Sequence, residues 1–159
     1  MVFDDPSYDP IGYLLMTAPA QIHLDALALE KLDPPKPDLT RFKRRGGELI
    51  LYHGWTDPSL APKHTIRYFD DIEEHTAGRR DAFARLFMIP GMAHCEFGPG
   101  AQIFDGIGAI RRWVEQGRKP DALLAVDLTG TLSRPLCKYP TEPVYLGGDP
   151  AKASSYDCR

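Results

Sequence analysis

The sequence predicts an α/β protein built on a parallel β-α-β-α core. Two short apolar runs, Glu48 to Tyr52 and Arg85 to Ile89, have the near-continuous apolar character of strands buried on both faces. A helix-length segment separates them, and a second helical pattern follows. Strands alternating with helices in this way lie parallel, joined by right-handed crossovers.

Taken in order, residues 1–37 form a leading segment. Residues 1–18 are rich in Asp, Pro and Tyr and read as irregular. Ala20 to Leu32 has helix-forming composition, with Ile22 and Leu29 on an apolar face. Asp33-Pro34-Pro35-Lys36-Pro37 ends that helix and forms a stiff linker. The α/β unit then spans 38–159. Asp38 to Phe42 begins a short helix closed by Gly46-Gly47. The first strand follows, then a helix over 62–77 with Ile66, Phe69 and Ile72 on one face and Gly78 as a cap. Arg85 to Ile89 is the second strand. Gly98-Pro99-Gly100 breaks the chain before a helix over Ala101 to Gln116. Ile103, Ile107, Ile110 and Val114 give that helix an apolar stripe, and Gly117 stops it. The tail holds one extended segment, Leu123 to Leu128, and otherwise reads as loop.

Composition bounds the function. A chain of 159 residues suits one domain with its own core. Charged residues make up 26% and the net charge is −3, which argues against nucleic acid as a partner. The one basic run, Arg41 to Arg45, reads as a solvated helix end. No apolar run reaches the roughly 20 residues that cross a bilayer, so no membrane partner is expected. Met1 to Pro6 shows neither the basic nor the apolar region of a signal peptide. Three cysteines leave at least one unpaired.

The chemistry lies past the ends of the two strands. His53-Gly54-Trp55-Thr56-Asp57-Pro58 sets an acid beyond the first. Pro90-Gly91-Met92-Ala93-His94-Cys95 sets a histidine beyond the second. Catalytic groups of open α/β sheets collect at the carboxyl ends of strands. Neighbouring parallel strands thus bring Asp57 and His94 to one rim. A serine hydroxyl needs a base such as His, and the base needs an acid to fix its tautomer. An α/β-hydrolase presents its acid and base in this order, with a G-x-S-x-G-type elbow before them. None of the five serines, Ser7, Ser59, Ser133, Ser154 and Ser155, has such a context. Asp57 before Pro58 also suits a turn or a helix cap, and the paired histidine motif favours the acid. His53 reads as support for the acid loop. His64 and His75 do not share a helix face, so no metal site is expected.

Both motifs resemble the tannase and feruloyl esterase family. The likeness continues through Trp113-Val114-Glu115-Gln116-Gly117, Arg134-Pro135-Leu136-Cys137 and Cys158, from Pro37 onward. Phe3-Asp4-Asp5-Pro6 is similar to a segment that precedes this region in the family. The resemblance implies the C-terminal part of an α/β-hydrolase fold with an irregular tail, lacking the nucleophile-bearing half and the lid. It implies a carboxylic ester hydrolase acting on small esters of aromatic acids, with Asp57 as acid and His94 as base. It pairs Cys137 with Cys158 and leaves Cys95 an orphan, because its partner would precede the catalytic serine. The family's calcium site lies in the lid and is not carried over, so no cofactor or metal is implied. The complete enzyme would be secreted or periplasmic. Three alternatives stand beside this reading: an inactive fragment, a binding module without catalysis, and one half of a split hydrolase whose serine lies on another chain. Two strands form a marginal sheet, so a homo-oligomer or an aggregation-prone monomer is also expected, with a buried surface near Leu49, Leu51, Phe87 and Ile89.

Overall fold

A computed structural model describes residues 37–94 and 97–159. The leading helix expected over 20–32 and the orphan Cys95 lie outside the described residues.

Pro37–Arg159 form a compact unit. A short helix α1, Thr40–Arg44, leads into strand β1, Leu49–Gly54. Helix α2, Pro62–His75, returns the chain to β2, Ala84–Ile89. Proline at the first turn starts α2, where its missing N–H costs nothing. β1 and β2 are parallel and in register from Leu49 opposite Ala84 to Gly54 opposite Ile89. The crossover read from the sequence is present, and β1 runs two residues further than expected.

Side chains on a strand alternate between faces, and the two faces of β2 serve two cores. Ala84, Leu86 and Met88 meet Phe69 and Ile72 of α2, with Leu49 and Leu51 of β1 against the same cluster. Phe87 and Ile89 point the other way, into a cluster with Met92, Ala109, Leu123, Ala125 and Leu136. Arg85 also faces that side. Its buried guanidinium donates to the Pro120 carbonyl and to Asp121.

The C-terminal part departs from the expectation of an irregular tail. Ile103–Phe104 form β3, Ala122–Val126 form β4 and Ser133–Cys137 form β5, an antiparallel sheet in the order β3-β4-β5. Pro143–Tyr145 and Tyr156–Cys158 form a further antiparallel pair, β6 and β7. These strands are short and carry prolines, so alternation is faint in sequence. The Cys137–Cys158 disulfide joins β5 to β7.

The helix expected from Ala101 starts later, as α3, Gly106–Gln116. Asp105 caps it by accepting the Gly108 N–H at 2.7 Å. Ahead of the cap, the Gln102 N–H donates to the Val126 carbonyl, and Ile103 pairs with β4. The stripe itself points outward. Ala109 and Trp113 form the buried face, whereas Ile107 is 82% and Val114 61% exposed. The patch expected around Leu49, Leu51, Phe87 and Ile89 is likewise corrected. Phe87 and Ile89 are buried within their own core, and both leucines pack toward α2. Exposed apolar side chains lie at other positions, among them Tyr52 and, on α3, Ile107 and Val114.

Candidate active site

The acid loop leaves β1 at Gly54 and is laced to the histidine loop beyond β2. The Trp55 N–H donates to the Ile89 carbonyl at 3.0 Å. Both the N–H and the hydroxyl of Thr56 donate to the Met92 carbonyl, at 3.2 and 2.7 Å. The loops touch so closely that a Cβ on Gly54 would stand 2.1 Å from the Met92 carbonyl oxygen. Only glycine fits there. On the far side, the Ala93 N–H donates to the Phe97 carbonyl, and the Gln102 amide ties down the Gly98 carbonyl at 3.1 Å.

This lacing brings the two predicted residues together. His94 Nδ1 lies 2.9 Å from Asp57 Oδ2. A carboxylate only accepts, so Nδ1 carries the proton and Nε2 is the bare nitrogen of the neutral ring. Asp57 is 5% exposed and His94 45%, so the pair is anchored inside and open outward. The second Asp57 oxygen, Oδ1, accepts the backbone N–H groups of Ser59 and Leu60, at 2.7 and 2.9 Å. Burial works against ionisation of this carboxyl. The Leu60 N–H, His94 and the Ser59 N–H outweigh it and hold Asp57 well below the usual carboxylate range. It is therefore an anion at any pH where a histidine is neutral.

His53, read as support for the acid loop, sits on the face of β1 that packs toward α2. Its Nδ1 is 2.6 Å from the Thr65 hydroxyl, and its Nε2 is 3.3 Å from the Leu60 carbonyl and 3.1 Å from Asp57 Oδ2. The sequence offered no sign of the Thr65 contact. Its only hint was the alternation that puts His53 with Leu49 and Leu51.

A groove of about 250 Å³ lies over the pair, walled by Tyr52, Leu60 and Met92 together with His94. Tyr52 and Met92 also line a larger groove of about 530 Å³, which runs along Ile50, Phe104, Ile107 and Ile110. Among the described residues no serine lines the groove at His94. Ser59 lies on the acid loop, while Ser133 and Ser155 bond backbone groups of the tail. His64 and His75 are both on α2, and the His75 ring bonds the Asp71 carbonyl of its own helix.

A family model described as tannase and feruloyl esterase matches residues 20–159. The chain belongs to that family. The match begins ahead of the continuous likeness from Pro37 and leaves out the segment Phe3-Asp4-Asp5-Pro6. The chain is 37% identical over 131 residues to a probable feruloyl esterase of Arthroderma benhamiae, an alignment covering 77% of the chain and 24% of that protein. It is 38% identical over 128 residues to the mono(2-hydroxyethyl) terephthalate hydrolase of Piscinibacter sakaiensis, covering 76% and 21%. In structure it is similar to an esterase from Aspergillus oryzae, with a TM-score of 0.82 at 25% identity, over 100% of the chain and 36% of the neighbour. The chain thus spans about a fifth to a third of the length of these relatives.

Proposed function

We propose that Asp57 and His94 are the acid and the base of a serine carboxylic ester hydrolase acting on esters of aromatic acids. The observation that carries this reading is the 2.9 Å bond between buried Asp57 and half-exposed His94. It leaves Nε2 free to take the proton of a serine hydroxyl. The serine oxygen then adds to the ester carbonyl, and His94 returns the proton to the departing alcohol. Water attacks the acyl-serine by the same route, with His94 again taking and returning one proton. Asp57, fixed as an anion, stabilises the imidazolium at each step. Aromatic acids suit the apolar walls given by Tyr52, Leu60 and Met92, and the names of the relatives agree with that class.

The nucleophile in this reading stands on a polypeptide segment outside the described residues. Its seat is the open side of β1, which pairs only with β2 among the described residues. Glu48 and Gln102 line the groove on that side, and among the described residues Glu48 Oε2 and Gln102 Oε1 are buried acceptors without a partner. The Cys137–Cys158 disulfide suits a secreted or periplasmic setting for the whole enzyme.

Hydrolysis of an aryl ester by these 159 residues alone is expected to be very weak, because losing the nucleophile removes a factor of about 10⁶ in rate. Adding the serine-bearing region of a relative as a separate polypeptide should restore turnover and labelling by a fluorophosphonate. His94→Ala should abolish both. Turnover that survives His94→Ala would overturn the assignment.

A further inference from the structure

Two histidines flank Asp57 and both line the groove, but only His94 is half-exposed there, with Nε2 unengaged among the described residues. The other, His53, has a side chain that is 11% exposed and makes contacts at both ring nitrogens. Nε2 faces two groups that can only accept. It hydrogen-bonds the Leu60 carbonyl at 3.3 Å and stands 3.1 Å from Asp57 Oδ2. Nε2 must therefore carry the proton. In the neutral ring Nδ1 is then an acceptor, and the Thr65 hydroxyl, 2.6 Å away, is its donor. Thr65 belongs to the first turn of α2, so the ring is braced against a helix rather than a loop.

We propose that His53, held by Thr65 as the Nε2–H tautomer, is a positioning residue that keeps Asp57 Oδ2 aimed at His94. The proposal deepens the acid–base reading above and rests on it. The Leu60 peptide group links the parts. Its carbonyl accepts from His53, while its N–H donates to Asp57 Oδ1. Pinning that peptide fixes one carboxylate oxygen, and the His53 N–H edge confines the other. Asp57 then has one orientation in which Oδ2 meets His94 Nδ1. The two histidines are opposite tautomers around one carboxylate: Nε2–H on His53 and Nδ1–H on His94. A tautomer is set by the partner of the other nitrogen, so the Thr65 hydroxyl governs a bond it does not touch.

Imidazole tautomers are read directly by long-range ¹H–¹⁵N correlation on the ¹⁵N-labelled chain, with no need for activity. The wild-type chain should show His53 as Nε2–H and His94 as Nδ1–H. Thr65→Val removes the hydroxyl at nearly constant shape. It should turn His94 from one tautomer into a mixture, while Thr65→Ser keeps the wild-type pattern. His53→Ala should have the same effect as Thr65→Val, and His53→Gln, which retains an N–H donor, should restore a single His94 tautomer. Far-UV circular dichroism checks that each variant is folded. If His53→Ala fails to fold, the threonine pair still decides. His53 found as Nδ1–H, or His94 unchanged in Thr65→Val, would overturn the proposal. These readouts concern bond geometry alone, so turnover restored by a serine-bearing segment that survives His94→Ala would defeat the functional reading while leaving the tautomer pattern to be judged separately.

Discussion

β1 and β2 lie in one parallel ladder and look alike in sequence, yet they occupy opposite environments. All six residues of β2 are buried, whereas only Gly54 of β1 is. The difference comes from neighbours. β2 has β1 on one edge and the segment after β5 on the other, where Lys138 bridges Phe87 and the Tyr139 N–H donates to the Leu86 carbonyl at 2.8 Å. Helix α2 covers one face of it, and α3 with the antiparallel sheet covers the other. Among the described residues β1 pairs only with β2; α2 covers one face of it, and on the other Ile50 and Tyr52 are only partly covered, with Tyr52 edge-on to Phe104. The candidate site straddles this boundary. Asp57 is braced from the closed side through His53 and α2, and His94 projects toward the open side. In the proposed reading the partners that fix Asp57 all lie among the described residues, and the nucleophile that His94 would serve lies outside them.

The comparison can be broken most severely at β2. Phe87→Ala empties the centre of a closed core and should cost about 3–5 kcal/mol. Tyr52→Ala, at the half-exposed position paired with Phe87, should cost well under half as much. Urea unfolding of both variants measures the gap. Equal losses would mean that β1 is as enclosed as β2. Next in size is the disulfide. Cys137 directly precedes the segment that covers the second edge of β2, and the bond closes a loop of 21 residues. Replacing both cysteines by serine should cost about 3 kcal/mol in the loop-entropy picture. A midpoint unchanged under reducing conditions would show that the tail holds without the bond.

The closed side of the molecule was the more legible in sequence. The strands after Glu48 and before Pro90 announce themselves by apolar runs, and the acid and histidine follow each by a few residues. Their meeting at one rim then follows from parallel pairing alone. The tail was less legible because Ser133-Arg134-Pro135-Leu136-Cys137 shows no alternation. Its pairing is set by partners distant in sequence and by the disulfide. The start of α3 was misplaced because Ile103 fits a helical stripe as well as a strand. Asp105, the residue that decides, acts through a cap rather than through hydrophobicity. The outward stripe on α3 misled for a deeper reason. Periodicity identifies an apolar face but not what covers it. Ala109 and Trp113 occupy the buried face, and the isoleucines lie elsewhere on the helix.

A smaller effect separates the two sides by pH. Asp127, at the turn between β4 and β5, accepts from Thr129, from the Leu132 N–H and from Thr131. These bonds, led by that from Thr129, outweigh burial and hold its carboxyl down at about 2, against an ordinary value of 3.8. A depressed folded-state value means stabilisation that is complete above 3.8 and is lost as pH falls through about 2. Asp127→Asn should therefore be less stable than wild type at neutral pH, with the gap closing between pH 4 and 2. Thermal unfolding across that range tests it. A gap that stays constant would show that the turn does not depend on the charge.

The smallest effect on stability is expected on the open side, where it sharpens the comparison most. Ile107 is 82% exposed, so Ile107→Ser removes little packing and should change unfolding free energy by no more than about 0.5 kcal/mol. Its effect should appear in association instead. Ile103 and Ile107 present apolar surface in the groove beside β1, whose second edge is unpaired among the described residues, and such edges and patches invite another chain. A second copy of this chain is one such partner. Sedimentation under reducing conditions should then show concentration-dependent self-association that Ile107→Ser weakens. The substitution should leave the monomer's unfolding curve in place. Wild type and variant that are both monomeric across a wide concentration range would sink the idea of a homo-oligomer through this face. An Ile107→Ser chain that unfolds several kcal/mol more easily would show instead that α3 is covered within its own molecule, and the contrast between the closed and open sides would fall with it.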